Sequence, residues 1–318
     1  MSVVDVAMVG RLGTEALAAT GMGSMMFWGA LSLAIGIRTA VQTVTARRFG
    51  QGLHKESGMA LRNGLALATL YSLPTSFFVW KYSDSLARFF IEDPSATPLT
   101  TDYVSIVFTG LLFSSYSFVF QGFFTGIEKT KIHMKVTVVS NVLNVYLNAG
   151  LIYGSSGVQE FFNEQLSILS FLSYLWTWAN FPALGVKGAA IGTLISSFWM
   201  AAHYAVSLLS KQTSKRYSVL RFSFDREMMK RQVQLALPQG LQESVIAIGW
   251  GVFYKIVGII GLVELATTEL LFTIMHASFM PAMGVGQACS TLVSKYMGQG
   301  RIKKLSLIHI SEPTRLQQ

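Results

Sequence analysis

Charged residues are scarce in this chain: they make up 13% of its 318 residues, against 51% that are hydrophobic. A soluble domain carries about 25% charged residues, so this composition argues against a water-soluble globule. Cysteine is nearly absent. Cys289 stands alone, which excludes an intramolecular disulfide. The opening MSVVDVAMVG lacks both a basic leading region and a cleavage site, so no signal peptide is read there. Long apolar runs are abundant, and runs of about 18 residues or more mark transmembrane helices rather than core helices.

The periodicity predicts membrane spans at 1–10, 15–45, 56–81, 99–125, 131–154, 186–210, 233–258 and 265–296. The net charge of +9 would suit nucleic acid if it were clustered, but it alternates from loop to loop. One set of loops holds Arg47, Arg48, Lys55 and Arg62, then Lys129, Lys131 and Lys135, then a basic run from Lys211 to Arg231, then Lys295, Arg301, Lys303 and Lys304. The other set holds Arg11, Lys81, Arg88 and Lys187, with the acids Asp84, Glu92, Asp93, Asp102, Glu160, Glu164, Glu264 and Glu269. The positive-inside rule makes the first set cytoplasmic. VQEFFNEQLSILSFLSYLWTWANF, 158–181, is apolar enough to span, but one extra crossing would invert every later loop. It is expected to lie on the outer surface as an amphipathic or re-entrant piece, with Trp176 and Trp178 at the headgroup level.

The chain also repeats itself. At a fixed offset of 248, GIRTAVQTVTARRFGQG (36–52) lies over GVGQACSTLVSKYMGQG (284–300), and LGTEALAAT (12–20) over IGLVELATT (260–268). Repeated helix bundles are a transporter signature, with the path between the halves. The offset leads to the expectation that roughly 18 residues of the first span precede Met1 and that the second copy is incomplete. Leu305–Arg315, LSLIHISEPTR, reads as the translation of a sequencing adapter, so 305–318 is set aside. The expected domains are a first lobe over 1–210, a linker over 211–232 and the start of a second lobe over 233–304.

Few ionisable residues fall within the spans: Asp5, Arg38, Glu243 and Lys255. A charge at mid-membrane costs about 2.5–3.5 kcal/mol on insertion scales, which makes each a functional candidate. Lys255 sits near a helix end and can snorkel. Arg38, beside Gln42, either snorkels or pairs with an acid. Glu243 follows Pro238 by one and a half turns, near Gln239 and Gln242, and suits a second ion or drug site. SNVLNVYLNAG, 140–150, places Asn141, Asn144 and Asn148 on one helical face. Such amides serve either as helix–helix glue or as cation ligands facing a carboxylate such as Asp5. His203 and His276 are isolated, and no metal-spaced cluster or nucleophile motif is found in the spans, so an enzyme is not expected.

VDVAMVGRLGTEALAATG, VQTVTARRFGQG, IEKTKIHMKVTVVSNVLNVYLNAGLIYG and the following GVKGAAIGT resemble the multidrug and toxic compound extrusion (MATE) transporters, over about 1–154 and 183–304. The resemblance implies an all-α polytopic membrane protein of two six-helix lobes around a central cavity. It implies export of organic, often cationic, compounds in exchange for protons or sodium, without a cofactor or nucleic acid, by a lipid-embedded monomer of the cell membrane. The family's first-lobe cation site falls on Asp5, Asn144 and Asn148, with Asn141 extending the stripe and Glu243, Arg38 and Gln42 as possible accessories. Many relatives have aspartate where Asn148 stands. The amide leaves Asp5 as the only acid of the trio, which tilts the expectation toward protons. A lipid-linked precursor flippase of the same superfamily is the rival reading, and a non-transporting fragment the other.

Overall fold

The computed structural model describes residues 7–91, 93–165, 167–221 and 224–301. They form α1 (Thr14–Gly50), α2 (His54–Phe90), α3 (Ala96–Thr109), α4 (Leu111–Gly126), α5 (Thr130–Gln165), the single turn α6 (Tyr174–Thr177), α7 (Val186–Leu208), the short α8 (Lys211–Tyr217), α9 (Arg226–Ile260) and α10 (Leu262–Gly298). Helices α1, α5, α7, α9 and α10 are each long and apolar enough to cross a membrane. Helices α3 and α4, bent by 48° at Gly110, read together as one broken span. Thirty-seven residues make α1 about 55 Å long, well beyond the roughly 30 Å hydrocarbon core. Most of span one and the tail after Arg301 lie outside the described residues.

The structure departs from the expected spans in two places. The span at 99–125 is two helices, because Gly110 adds no side-chain contacts to stiffen the bend and breaks a helix at low cost. The span at 56–81 continues to Phe90, but Tyr82 leaves helical geometry (φ −109°, ψ 18°). The extra turns carry an exposed Arg88–Asp84 ion pair at 2.8 Å. The segment 158–181, expected to lie on the outer surface without crossing, forms the end of α5, a short 3-10 stretch and α6. Helix α5 kinks at Gly154 (φ 74°), runs on to Gln165, and the chain folds back along it. Trp176 Nε1 donates to the Tyr146 carbonyl at 2.8 Å, and Tyr146 donates its hydroxyl to the Leu175 carbonyl at 2.7 Å. Trp176 therefore packs inward against Tyr146 and Phe162, while Trp178 is exposed.

The two sets of loops gather at opposite ends. At the basic end Lys295 meets Glu128 at 2.7 Å, Lys129 donates to Thr213, Arg62 donates to the Ser218 carbonyl, and Arg216 reaches His54. Asp225 caps α9, accepting from the Glu227 and Met228 amides, while Asn63 of α2 donates to the Asp225 carbonyl. At the other end Lys187 meets Asp102 at 3.1 Å, and the Lys255 ammonium lies 3.7 Å from the centre of the Phe89 ring.

Helix α1 is the hub, packing most extensively on α9, then α4, then α10. Where α1 crosses α9, Gly36 rests on the Ala236 carbonyl and the Gly240 backbone. Small residues let membrane helices approach this closely. The Ser32 and Ser244 hydroxyls bond across the same seam at 2.6 Å. The internal repeat is visible in the backbone. Shifted by 248, Thr14–Gly50 becomes Leu262–Gly298, so α1 and α10 begin and end at equivalent residues. Each ends on a glutamine followed by a left-handed glycine, Gly52 (φ 80°) and Gly300 (φ 68°), the backbone a helix C-terminal turn requires. The contact between the two helices is reciprocal: Gly50 lies against the Lys295 carbonyl and Gly298 against the Arg47 carbonyl. Those residues are related by the same offset, so a local two-fold axis relates the two ends.

Candidate functional site

A cavity of about 440 Å³ opens between α1, α3, α4, α5 and α7 on one side and α9 and α10 on the other. Its first-lobe wall carries Ser114, Ser117, Gln121, Thr137, Asn141, Thr193 and Ser197; aromatic rings from both lobes fill much of the rest. Among the described residues lining it there is no lysine or arginine. Among those described residues Glu269 is the one carboxylate.

The asparagine stripe divides in the structure. Asn141 lines the cavity, its amide nitrogen donating to the Thr137 carbonyl at 2.8 Å. Asn144 and Asn148 sit behind it, both fully buried. The Asn148 amide lies against Gly192, where α5 and α7 approach closely. Neither polar atom of the Asn144 side chain has a hydrogen-bond partner among the described residues. A buried amide left so costs about 1–3 kcal/mol, so it is conspicuous as a ligating group. Asp5 lies outside the described residues.

The accessory candidates lie on other faces. Gln42 is buried and committed: its amide nitrogen donates to the Gln287 carbonyl at 3.0 Å and to Thr291 Oγ1 at 2.8 Å, tying α1 to α10. Arg38 is half-buried, with its guanidinium carbon 5.7 Å from the centre of the Phe118 ring. Glu243 stands on α9, which packs across the seam from α1. Glu243 also accepts from Gln239 at 3.3 Å, whereas Gln242 is exposed. Arg38, Gln42 and Glu243 are not among the residues lining the cavity.

Two residues in the cavity wall escaped the reading of the sequence. His133 has Nδ1 2.5 Å from the Tyr204 hydroxyl and Nε2 3.1 Å from the Gln121 amide nitrogen. The sequence placed it at the basic edge of a span, and only its spacing to Thr137 and Asn141, four residues each, marks it as part of the polar face. Glu269 was assigned to an outer loop and belongs inside the protein. Helix α10 starts at Leu262, so Glu269 lies two turns in, and it is buried. The signal was available in Glu269, Thr273 and His276, whose spacings of four and three put them on one face. His276 is not isolated either: its ring stacks on Phe272 and meets Trp28 edge-on. Among the described residues no group of three His, Cys, Asp or Glu side chains is placed to hold a metal ion.

A family model described as MatE matches residues 1–149 and 250–310. The chain is 25% identical to the probable multidrug resistance protein NorM of Agrobacterium fabrum, covering 95% of this chain and 60% of that protein. It is 24% identical to the probable NorM of Thermotoga maritima, over 93% and 59%. Among solved structures, an outward-facing multidrug resistance MATE family transporter superposes with a TM-score of 0.78 at 22% identity, over 97% of this chain and 63% of the other. An inward-facing one gives 0.72 at 21% identity, over 94% and 65%. The chain thus spans about 60% of the length of the curated relatives it matches.

Proposed function

The chain belongs to the MatE family, and from that premise we propose that the protein exports organic compounds in exchange for a cation moving inward. The observation that carries this reading is the cavity between the lobes, backed by a fully buried Asn144 whose amide has no partner among the described residues. The basic end faces the cytoplasm by the positive-inside rule. Substrate enters the cavity from there. A cation then reaches Asp5, Asn144 and Asn148 from outside. An asparagine oxygen can ligate a hard cation, and its nitrogen can hold a carboxylate. Binding drives transport only if the cation prefers one of two conformations. With amides at 144 and 148, Asp5 is the trio's sole carboxylate, which favours a proton over sodium.

The flippase reading is not favoured, because among the described residues the cavity lining has no lysine or arginine of the kind a pyrophosphate group requires. The test is Asp5→Asn in the complete protein. We expect membrane insertion to be unchanged and drug export to stop. Export at the wild-type rate would contradict the proposal.

A further inference from the structure

We infer that Glu269 is the anionic anchor of a binding site for organic cations, built by the second lobe on the wall opposite the asparagine stripe. The inference rests on reading the cavity as the transport path.

The Tyr254 hydroxyl of α9 donates to Glu269 Oε2 at 2.7 Å, and Thr273, one turn along α10, lines the same patch. These neutral donors orient the carboxyl group and bring no counter-charge. A buried carboxylate is costly without a counter-charge, and the described lining offers no lysine or arginine. Rings share the cavity lining with it: Phe272 meets Trp28 at 6.5 Å and Tyr254 at 6.1 Å between centroids, in edge-on arrangements. A carboxylate and aromatic rings on one cavity wall are the chemistry that holds a quaternary or protonated amine, because ring quadrupoles attract a cation that is too weakly hydrated to resist desolvation.

The repeat explains how room was made. Residues 21 and 269 are equivalent under the 248 offset, and they face each other across the local axis. The first copy has glycine there. A β-carbon on Gly21 would lie 2.9 Å from Glu269 Cγ and 3.0 Å from Oε2. The glycine of one copy therefore admits the acid of the other, and the symmetric pair becomes a single asymmetric anion. Gly21 is a positioning residue for Glu269.

The test is equilibrium binding to the complete protein in nanodiscs, read by tryptophan fluorescence. The probes are phenyltrimethylammonium and its uncharged isostere tert-butylbenzene. Glu269→Gln keeps a group able to accept from Tyr254, so the helix pair stays joined. We expect it to weaken phenyltrimethylammonium on the order of ten- to a hundredfold while leaving tert-butylbenzene within about twofold. Glu269→Asp should recover part of the loss, and Gly21→Ala should weaken the cation alone, without removing a charge. Unchanged cation affinity in Glu269→Gln overturns the inference, as does equal loss of both probes, which would mark Glu269 as a packing residue. The proposed function fails separately: charge-selective binding without dye export in vesicles would sink export and leave this site standing.

Discussion

Helices α5 and α9 are similar in length, and the best apolar stretch of α9 is the more hydrophobic, yet 39% of that stretch is buried in α5 and 17% in α9. Helix α10 resembles α9, at 22%. Hydropathy therefore reports the solvent a helix tolerates and says little about its partners. The chain spans about 60% of the length of its relatives, so apolar side chains such as Ile248, Val252, Ile259 and Leu271, uncovered here, face either lipid or further chain. The contacts that hold α9 and α10 to the first lobe are instead small or polar: Gly36 on Gly240, Ser32 with Ser244, and Gln42 with Gln287 and Thr291. Between membrane helices the driving forces are close packing and hydrogen bonding, because lipid is as apolar as leucine.

The strongest way to break this comparison is to enlarge glycines along the α1–α9 seam. Gly36 is clamped on the α9 backbone, whereas a β-carbon on Gly29 would meet only the Ala247 β-carbon, at 3.8 Å. Gly36→Ala should cost about 3 kcal/mol, seen as loss of the folded monomer on heating in detergent. Gly29→Ala should leave the melting curve unchanged or raise it slightly. Equal losses would mean that α9 is not held as described.

Asn144→Leu sharpens the contrast within the packed lobe. Removing an unpartnered buried amide should raise stability or leave it unchanged, recovering up to about 1–3 kcal/mol of desolvation, while export is lost. A fall in both would make Asn144 a structural residue. Gln42→Leu removes two bonds between α1 and α10, each worth roughly 0.6–2 kcal/mol in membranes, and should lower the melting temperature modestly. The smallest effect belongs to Lys295→Gln. Its partner Glu128 is partly exposed, so the pair contributes about 0–1 kcal/mol, and that contribution should vanish at high salt.

Much of this architecture was legible in the sequence because two of its signals are collective. Apolar runs and alternating loop charge each sum over many residues, so six of the spans and the gathering of basic loops at one end follow from them, while α2 is not apolar enough to stand as a span by that measure. The repeat was legible for the same reason: Gly50 and Gly298 end equivalent helices, and the structure adds that Gly50 lies against the Lys295 carbonyl and Gly298 against the Arg47 carbonyl. What stayed hidden depends on single residues. Glu269 looked like a loop acid because the α9–α10 connection is only Gly261, so no polar loop separates the helices. Gly110 was one glycine in an apolar run, and nothing in the pattern distinguished a bend from a straight helix. Asn141 and Asn144 are three residues apart on one face, yet one lines the cavity and the other is sealed behind it. That difference is set by how α7 packs, which periodicity on α5 cannot report.

The most direct test of the account follows dye and ion together. Vesicles holding the complete protein would be loaded with a cationic dye, and dye efflux and internal pH recorded at once, with and without sodium. The account predicts that dye outflow draws protons inward in fixed proportion, with or without sodium, and that Asp5→Asn and Asn144→Leu abolish both movements. Dye leaving without proton uptake, or only when sodium is present, would contradict it.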